Sequence, residues 1–433
     1  MADSARKIVL IGAGSAVFTR GLVADLILSG RPWTVSLVDV DAEALEIASS
    51  LAGRMLAARE AAIELEADTE RRNVLTGADY VVSTIGVGGR RAWEADVLIP
   101  REYGIFQPVG DTIMPGGLSR ALRQIPATLA LVRDAARLAP EAYVFNYANP
   151  MAAICQAVWK ECRRDIVGLC HGVPNGEREL AELLEVESSR CSFTAVGINH
   201  LSFFIEARVD GEDAFPLLRQ KLLHGGLKDG ESLRNRLFLD TGLYSVLHDR
   251  HLAEFFPQFH RDGSHPEGKL GVDVFSFEET IERGDRDYAD MKAQAFGEKP
   301  LDHEVFAHHL GEHEQLVEIL ESLQGPSRRR YSMILPNRGH LAGLPAGHAL
   351  ECPAWVSAAG IDPERIANIP AFLKALLGKH LSVIDLVIEA AVEREKTAFL
   401  EALILDGAVD SLGKAARLAD DLWEVNERYC AAP

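Results

Sequence analysis

Two segments of the chain place a thiol and imidazoles where a metal ion could bind. The run "VGLCHGVPNG" carries Cys170 and His171 at the end of an apolar, strand-like stretch, and His200 follows 30 residues after Cys170. A thiolate and an imidazole together suit a divalent transition metal. Their spacing fits none of the compact zinc motifs. From the residues alone, a metal site at Cys170 and His200 therefore competes with a buried thiol beside a loop histidine.

A glycine-containing turn near the N-terminus is typical of dinucleotide binding. The apolar run "KIVLIGAGS" ends in Gly12, Gly14 and Ser15 and precedes a helical pattern. Such glycines let the backbone approach a pyrophosphate, whose charge the helix N-terminus favours. Asp39 ends the next strand, where a carboxylate accepts hydrogen bonds from a ribose 2′-hydroxyl and repels a 2′-phosphate. Although Val17 replaces the third glycine of the fingerprint, we predict NAD rather than NADP; the alternative is a tight turn without a ligand.

Two polar side chains in loops are further candidates. Asp111 lies in the Gly/Pro-rich stretch "FQPVGDTIMPGG", and Asn149 precedes Pro150 in "NYANP" at the end of a strand. The Asn149 amide could hydrogen-bond a sugar hydroxyl or a cofactor ribose. Helix capping explains both residues equally well from sequence alone.

The elements that must position these residues follow from the alternation of strand and helix patterns. In the first half, buried strands alternate with helices, including a long helix predicted over 42–67. This alternation indicates a parallel sheet. Ligands bind beyond the carboxyl ends of such strands. We therefore expect Gly12, Gly86, Asn149 and Cys170 to lie along one edge of the sheet.

The second half of the chain has a different pattern. "CSFTAVGINHLSFFIEARVDG" suggests antiparallel strands, and helical signals dominate from about Pro216. "HLSVIDLVIEAAVEREKTAFLEALILDG" predicts one long amphipathic helix or a helix pair. The predicted class is α/β: a Rossmann-like, doubly wound parallel sheet over residues 1–195 is followed by a mostly helical α+β catalytic and oligomerisation domain over 196–433.

Composition and charge exclude several classes of partner. The 433 residues carry a net charge of -19, which disfavours binding to nucleic acid or anionic membranes. No apolar run reaches the roughly 18 residues of a membrane span, and no signal peptide is recognisable. The six cysteines form no C-x-x-C pair. We expect a cytoplasmic protein, with the basic run 328–330 in a solvated loop.

Six motifs in order resemble glycoside hydrolase family 4, the NAD- and metal-dependent glycosidases. They are "IGAGS", "DTIMPGG", "NYANPMA", "GLCHG", "GINHL" and "NRGHLAGLPAGHALECP", and the resemblance covers about residues 6–425. It implies a fold similar to that of the lactate/malate dehydrogenases. The "LCHG" and "GINHL" forms resemble the α-galactosidase, α-glucosidase and α-glucuronidase branch more than the 6-phospho-glycosidases. "CHGVPNG" departs from the forms of both the α-galactosidases and the α-glucosidases, which leaves an acidic glycoside open as substrate.

The resemblance also implies roles for the candidate residues. Cys170 and His200 would ligate Mn²⁺ or another divalent ion. Asn149 would hold the substrate between the metal and the nicotinamide, and Asn199 would also contact the substrate. His171 follows the metal cysteine, where a sister branch has its acid catalyst.

Two further catalytic positions follow from the resemblance. Asp111 matches an acidic position of the active site. Two phenylalanines stand where some members have a tyrosine that removes the carbon-2 proton, so the base is open here. The local candidates are Tyr244, Asp249, His251 and Glu254. His251 ranks first because it matches a histidine of the α-galactosidase branch.

The implied reaction is hydrolysis of a small-molecule glycoside, α-linked in this branch. It proceeds by oxidation at carbon 3, deprotonation at carbon 2, elimination, addition of water and re-reduction, which departs from the usual two-carboxylate chemistry of glycosidases. A homodimer or homotetramer is expected from the resemblance and from the apolar C-terminal helices. Two alternatives remain open: an NAD-dependent dehydrogenase of the lactate/malate type, and a catalytically inactive sugar- or NAD-binding sensor.

Overall fold

One mixed β-sheet runs through the molecule. The computed structural model describes residues 5–16, 18–224, 232–259, 276–307 and 315–430. The strands within these ranges are β1 Arg6–Ile11, β2 Trp33–Val38, β3 Ile63–Asp68, β4 Tyr80–Ser83, β5 Tyr143–Asn146, β6 Val167–Gly168, β7 Cys191–Ile198, β8 Leu201–Val209, β9 Glu212–Asp213, β10 Tyr244–Ser245, β11 Arg329–Pro336, β12 Ala349–Ser357 and β13 Gly360–Pro363.

Helices connect and cover these strands. They are α1 Phe18–Leu28, α2 Ala42–Arg59, α3 Gly89–Glu102, α4 Met114–Leu138, α5 Met151–Cys162, α6 Gly172–Leu184, α7 Phe215–His224, α8 Leu233–Thr241, α9 Asp249–Leu252, α10 Ser276–Ala295, α11 Leu316–Gln324, α12 Ala371–Glu393, α13 Lys396–Asp406 and α14 Leu412–Cys430. None of those in the described ranges is both long and apolar enough to cross a membrane.

The first half forms the predicted parallel sheet. Its strands are ordered β6-β5-β4-β1-β2-β3, and each neighbouring pair is parallel. This is the doubly wound arrangement, in which the chain reverses its direction of progress beside β1. The Rossmann-like prediction is confirmed. Because the strands are parallel, Gly12, Gly86, Asn149 and Cys170 all follow carboxyl ends at the same edge.

The antiparallel part continues the same sheet. Next to β6 come β11, β12, β7, β8 and β10 in that order, and Gly168 of β6 pairs with Ile334 of β11. The hairpin of β7 and β8 confirms the predicted antiparallel strands. Its turn holds His200 in a left-handed backbone conformation, with φ of 69°. The predicted domain boundary at residue 195 falls inside β7.

The described residues form two extensive hydrophobic cores and one small cluster of Val97, Phe277 and Ile281 between α3 and α10. The larger core joins the parallel strands to their helices and to α12 and α13, and the second core lies between α6, α7 and the β7–β8 hairpin. Arg394 has φ of 59° and separates α12 from α13. The long apolar C-terminal segment is therefore the helix pair that the sequence left as one option.

Two predictions about the elements are wrong. The helix predicted over 42–67 ends at Arg59, where Glu60 takes a left-handed conformation, and Ile63–Asp68 forms the edge strand β3. Helix-favouring Glu, Leu and Ala residues misled the prediction, because pairing with β2 overrides propensity. The prediction that helices dominate beyond Pro216 likewise omitted strands β11 and β12, which lie between β6 and β7 in the order of the sheet.

Candidate active site

The loop after β1 is built around two glycines that a larger residue could not replace. Gly12 has φ of +89°, and a Cβ there would lie 2.9 Å from the backbone of Ile85. A Cβ on Gly14 would lie 2.6 Å from the Ala44 Cβ. One glycine allows the turn and the other allows close packing of the loop, as a dinucleotide-binding turn requires.

The other predicted cofactor residues surround this loop. Asp39 Oδ2 accepts the Gly14 N–H at 2.7 Å, so the carboxylate braces the turn that would receive the cofactor. Ser15 Oγ accepts the first N–H of α1 at 3.3 Å. Gly86 is exposed after the end of β4, and no described residue other than its chain neighbours has an atom within 4 Å of the position of its missing Cβ. The edge of the sheet therefore stays open at Gly86.

Three side chains from different parts of the chain converge beside this edge. Asp111, His200 and His251 each offer one ligand atom, and these atoms all lie within 4.8 Å of one another. The imidazole centroids of His200 and His251 are 4.2 Å apart. A carboxylate and two imidazoles are a common donor set for divalent ions such as Mn²⁺ and Zn²⁺.

Hydrogen bonds fix the orientation of two members of this cluster. The Thr112 hydroxyl donates to Asp111 Oδ1 at 2.6 Å and lies 2.8 Å from His200 Nδ1. Since that hydroxyl has only one proton, His200 Nδ1 must donate to it, which leaves the His200 Nε2 lone pair free. Such an outer hydrogen bond is how metal-binding histidines are usually oriented.

Electrostatics favour a charged carboxylate beside neutral imidazoles. Burial lowers the pKa of His200 to about 3, helped by the neighbouring His251, and burial also lowers the pKa of His251. Burial opposes the ionisation of Asp111, yet the Arg120 guanidinium and the hydrogen bond from the Thr112 hydroxyl hold its pKa below the ordinary value. At neutral pH the cluster therefore presents three groups in metal-binding protonation states.

Cys170 and His171 flank the cluster without belonging to it. Cys170 lies half-buried two residues after β6, and its Sγ accepts the Gly172 N–H at 3.4 Å. Among the described residues, the three-ligand group contains His200 but not Cys170. His171 is exposed, and its charge acts on both His200 and His251. His171, the predicted acid catalyst, therefore lies near the cluster, whereas His200 is grouped with Asp111 and His251.

The two predicted substrate-binding asparagines carry buried polar atoms that lack partners. Asn149 Nδ2 donates to Asp111 Oδ2 at 2.9 Å, whereas its Oδ1 has no hydrogen-bond partner within the described ranges. The fully buried Asn199 lacks partners for both side-chain atoms there. Buried polar groups are normally paired. These atoms are therefore candidates to bind substrate.

The structure reduces the number of candidates for the base that removes the carbon-2 proton. Tyr244 is buried in β10, and Asp249 accepts the backbone N–H groups of Leu233 and Arg234 at the start of α8. Both residues have structural roles. Of the four candidates, His251 is the one whose ring joins the cluster.

Glu254 supports the loop that carries Asp111. Its Oε1 accepts the N–H groups of Val109 and Gly110 at 2.8 and 2.7 Å. Complete burial, together with the charge of Asp111, raises the Glu254 pKa to about 8. At neutral pH this carboxyl is largely protonated and positions the loop.

Two contributors to the site were missed by the sequence reasoning: Thr112 and Arg120. Arg120 Nε donates to the Asn149 carbonyl at 2.9 Å, which ties α4 to the end of β5. The available signal was the Gly-Gly pair in "MPGGLSR". A Cβ on Gly117 would lie 2.3 Å from the carbonyl carbon of Thr112, so only glycine lets α4 begin against the Asp111 loop.

Comparison with known proteins identifies the family of this chain. Residues 7–186 match the family model described as "Family 4 glycosyl hydrolase", and residues 195–409 match that of its C-terminal domain. The chain is 30% identical to an α-glucosidase of Erwinia rhapontici, with 97% of both chains covered. It is also 30% identical to an α-galactosidase of Rhizobium meliloti, covering 98% of this chain and 88% of the relative.

A solved structure has the same fold. A 6-phospho-α-glucosidase from gut microorganisms, in complex with NAD and Mn²⁺, superposes with a TM-score of 0.84. The two chains are 20% identical, and the match covers 98% of this chain and 99% of the other.

Proposed function

Because this chain belongs to the family 4 glycosyl hydrolases, we propose that it cleaves an α-glycoside with the help of NAD and a divalent ion such as Mn²⁺. The observation that carries this proposal is the convergence of Asp111, His200 and His251 beside the glycine loop of a Rossmann-like sheet. The α-configuration is supported by the names of the two relatives, an α-glucosidase and an α-galactosidase.

The donor set fits a divalent metal. Asp111 and His200 would hold the ion, and Cys170 at the neighbouring strand end would complete the set that the sequence motifs imply. When bound, such an ion polarises sugar oxygens as a Lewis acid. The unpartnered amide atoms of Asn149 and Asn199 would then hold the sugar hydroxyls.

The glycine loop fits NAD. Gly12, Gly14 and Ser15 would face the pyrophosphate, with Asp39 near the adenosine ribose and Gly86 at the open edge. NAD supplies a reversible hydride acceptor for carbon 3 of the sugar. Asn149, at the end of β5, would position that carbon.

The two proton transfers are assigned to histidines. His251 is neutral, its Nδ1 is buried without a partner in the described residues, and it would take the proton from carbon 2. His171 is exposed at the edge and would donate a proton to the leaving oxygen. Asp111 fixes both the metal and the amide of Asn149.

The organisation of the whole protein is proposed on separate grounds. We expect residues 1–195 to bind NAD and residues 196–433 to complete the site. We also expect a homodimer or homotetramer, because Phe372, Ile404 and Leu412 of the C-terminal helices are exposed apolar side chains. The free thiols of the five cysteines whose side chains are described suit the reducing cytoplasm.

The test uses p-nitrophenyl α- and β-glucosides, α- and β-galactosides and the matching uronides. Each is assayed with and without NAD and Mn²⁺ under reducing conditions, while absorbance at 340 nm is followed separately. The proposal predicts nitrophenol release that needs both additions, without net NADH. Net NADH without nitrophenol would contradict it and indicate a dehydrogenase. NAD binding without any turnover of the panel would favour the inactive sensor.

A further inference from the structure

A cavity with both polar and apolar walls opens next to the candidate active site. It has a volume of about 590 Å³ and lies between the start of α6, the start of β7 and the start of β11. Cys170 and His171 form part of its wall. This volume is within the roughly 300–1,000 Å³ of small-molecule sites.

His171 connects this cavity with the cluster. Its side chain lines the cavity together with that of Cys170, the third ligand proposed for the metal site. A group that leaves the sugar at the cluster and takes a proton from His171 would therefore face the cavity. The position of His171 therefore puts the cavity on the side of the site from which the leaving group departs.

An unpaired carboxylate stands inside the cavity. Glu177, on the second turn of α6, lines it and has no hydrogen bond to any residue that the structure describes. Burial raises the Glu177 pKa to about 7, although the positive charge of Arg330 acts against this shift. A half-buried carboxyl without a partner is costly unless a ligand supplies one.

Two arginines line the cavity, and neither supplies that partner: Arg178 donates to the Asn175 side-chain oxygen. Arg330 forms a bidentate ion pair with Glu364, at 3.0 Å for each contact, and donates to the Phe193 carbonyl at 2.7 Å. It is half-buried at the start of β11, so the prediction of a solvated loop at 328–330 is wrong for Arg330. Nearby, the buried Ser332 Oγ also lacks a partner among the described residues. The cavity therefore keeps free acceptor and hydroxyl groups.

We propose that this cavity is the leaving-group subsite and takes a polyhydroxylated, sugar-like aglycone, whose hydroxyls are hydrogen-bonded by Glu177 with help from Ser332 and Asn175. This inference rests on the proposed glycosidase function. Carboxyl, amide and hydroxyl side chains around a cavity suit sugar hydroxyls. The preferred substrate is thus a glycoside whose leaving group is itself a sugar.

The test compares two substrates with the same non-reducing sugar: a disaccharide and a p-nitrophenyl glycoside. The variant is Glu177→Ala, and the matched control is Glu182→Ala on the exposed face of the same helix. Nitrophenol has no sugar hydroxyls to bind. We expect kcat/KM of Glu177→Ala to fall roughly 10- to 100-fold for the disaccharide, the worth of a hydrogen bond to a charged group, and by less than about 3-fold for the aryl glycoside. The control should match wild type on both substrates.

The outcomes separate this inference from the function on which it rests. Equal losses of Glu177→Ala on both substrates would assign Glu177 a structural role and overturn the subsite. Unchanged kinetics on both would overturn it as well. A wild-type enzyme that cleaves neither these glycosides nor any of the panel would contradict the glycosidase function and the subsite together. Thermal denaturation of Glu177→Ala checks that the variant is folded.

Discussion

Two regions of this chain bury histidines among polar groups, and they satisfy those groups differently. In the loop between β11 and β12, His340 Nδ1 accepts the Arg338 N–H at 3.3 Å and Nε2 lies 3.5 Å from Cys352 Sγ. Asn337 uses its whole side chain in this loop: Oδ1 accepts two N–H groups and Nδ2 donates to three carbonyls. Both polar atoms of the Asn337 side chain have partners within the protein, which indicates a structural role for this loop.

The cluster at the carboxyl edge of the sheet is different. His251 Nδ1, Asn149 Oδ1 and both polar atoms of Asn199 lack partners within the described ranges. Leaving such groups unpaired costs free energy that the fold alone does not recover. Histidine, asparagine and cysteine occur in both regions, so residue type does not separate them. The difference is whether the polar atoms are satisfied, and that marks the cluster as a site for ligands.

The largest effect should come from removing a cluster ligand. His200→Asn suits the left-handed backbone of this turn, because asparagine tolerates positive φ. We expect kcat/KM to fall by at least about 1,000-fold through loss of metal-assisted chemistry, with Tm in a chelator within about 2 °C of wild type. Aryl-glycoside kinetics and thermal denaturation measure the two quantities. If His200→Asn kept its activity, or if its Tm fell by much more than about 2 °C, the cluster would not differ from the loop between β11 and β12 as stated.

The opposite behaviour is expected in the loop between β11 and β12. Asn337→Ala removes five hydrogen bonds and should lower the free energy of unfolding by about 3 kcal/mol, while kcat of the folded enzyme stays within about 2-fold. Urea denaturation measures the change. Arg338→Ala is the control: its ion pair with Asp165 is exposed and should be worth less than about 1 kcal/mol. A similarly small loss for Asn337→Ala would contradict its structural role.

A second asparagine sharpens the comparison. Asn199→Ala removes two buried, unpaired groups, so the free energy of unfolding without ligands should stay within about 1 kcal/mol of wild type or rise. At the same time kcat/KM should fall roughly 10- to 100-fold, because the substrate loses a partner. Denaturation and kinetics on the same preparation test both parts. Destabilisation as large as that of Asn337→Ala would show that Asn199 belongs to the fold.

The smallest effect concerns the pH dependence of stability. The pKa of Glu254 rises from 4.5 to about 8 in the folded protein, because the carboxyl is buried near Asp111. The folded state therefore holds this proton more tightly, and the stability from Glu254 is lost as pH rises from about 4.5 to about 8. Glu254→Gln keeps a side-chain oxygen that accepts the N–H groups of the Asp111 loop. Its Tm should therefore fall less from pH 5 to pH 8 than that of wild type. Tm measured at pH 5 and pH 8 in a chelator tests this; parallel declines would contradict it.

Part of the fold and the site could be predicted because the signals are local. Apolar runs ending in glycine gave β1 and β4, and parallel strands bring their carboxyl ends to one edge. The prediction that Gly12, Gly86, Asn149 and Cys170 lie at that edge is therefore confirmed. The charge pattern and the absence of long apolar runs are likewise properties of the sequence itself.

The rest depends on tertiary contacts that no local pattern contains. The meeting of His200 and His251 requires the β7 hairpin and α9 to pack together, and Thr112 joins only because Gly117 admits it. Strand β3 was mistaken for helix because pairing with β2 decides its conformation. The sequence predicts a solvated Arg330, because no local pattern shows its partner Glu364, which lies 34 residues away.

The central claim is that Asp111 and His200 hold a divalent ion while His251 acts on the substrate. Equilibrium Mn²⁺ binding, followed by the electron paramagnetic resonance signal of free Mn²⁺, tests it most directly in wild type, Asp111→Asn and His251→Asn. We predict that one Mn²⁺ binds per wild-type chain, that Asp111→Asn weakens binding by at least about 10-fold, and that His251→Asn stays within about 3-fold while losing activity. Wild-type affinity in Asp111→Asn would contradict the account.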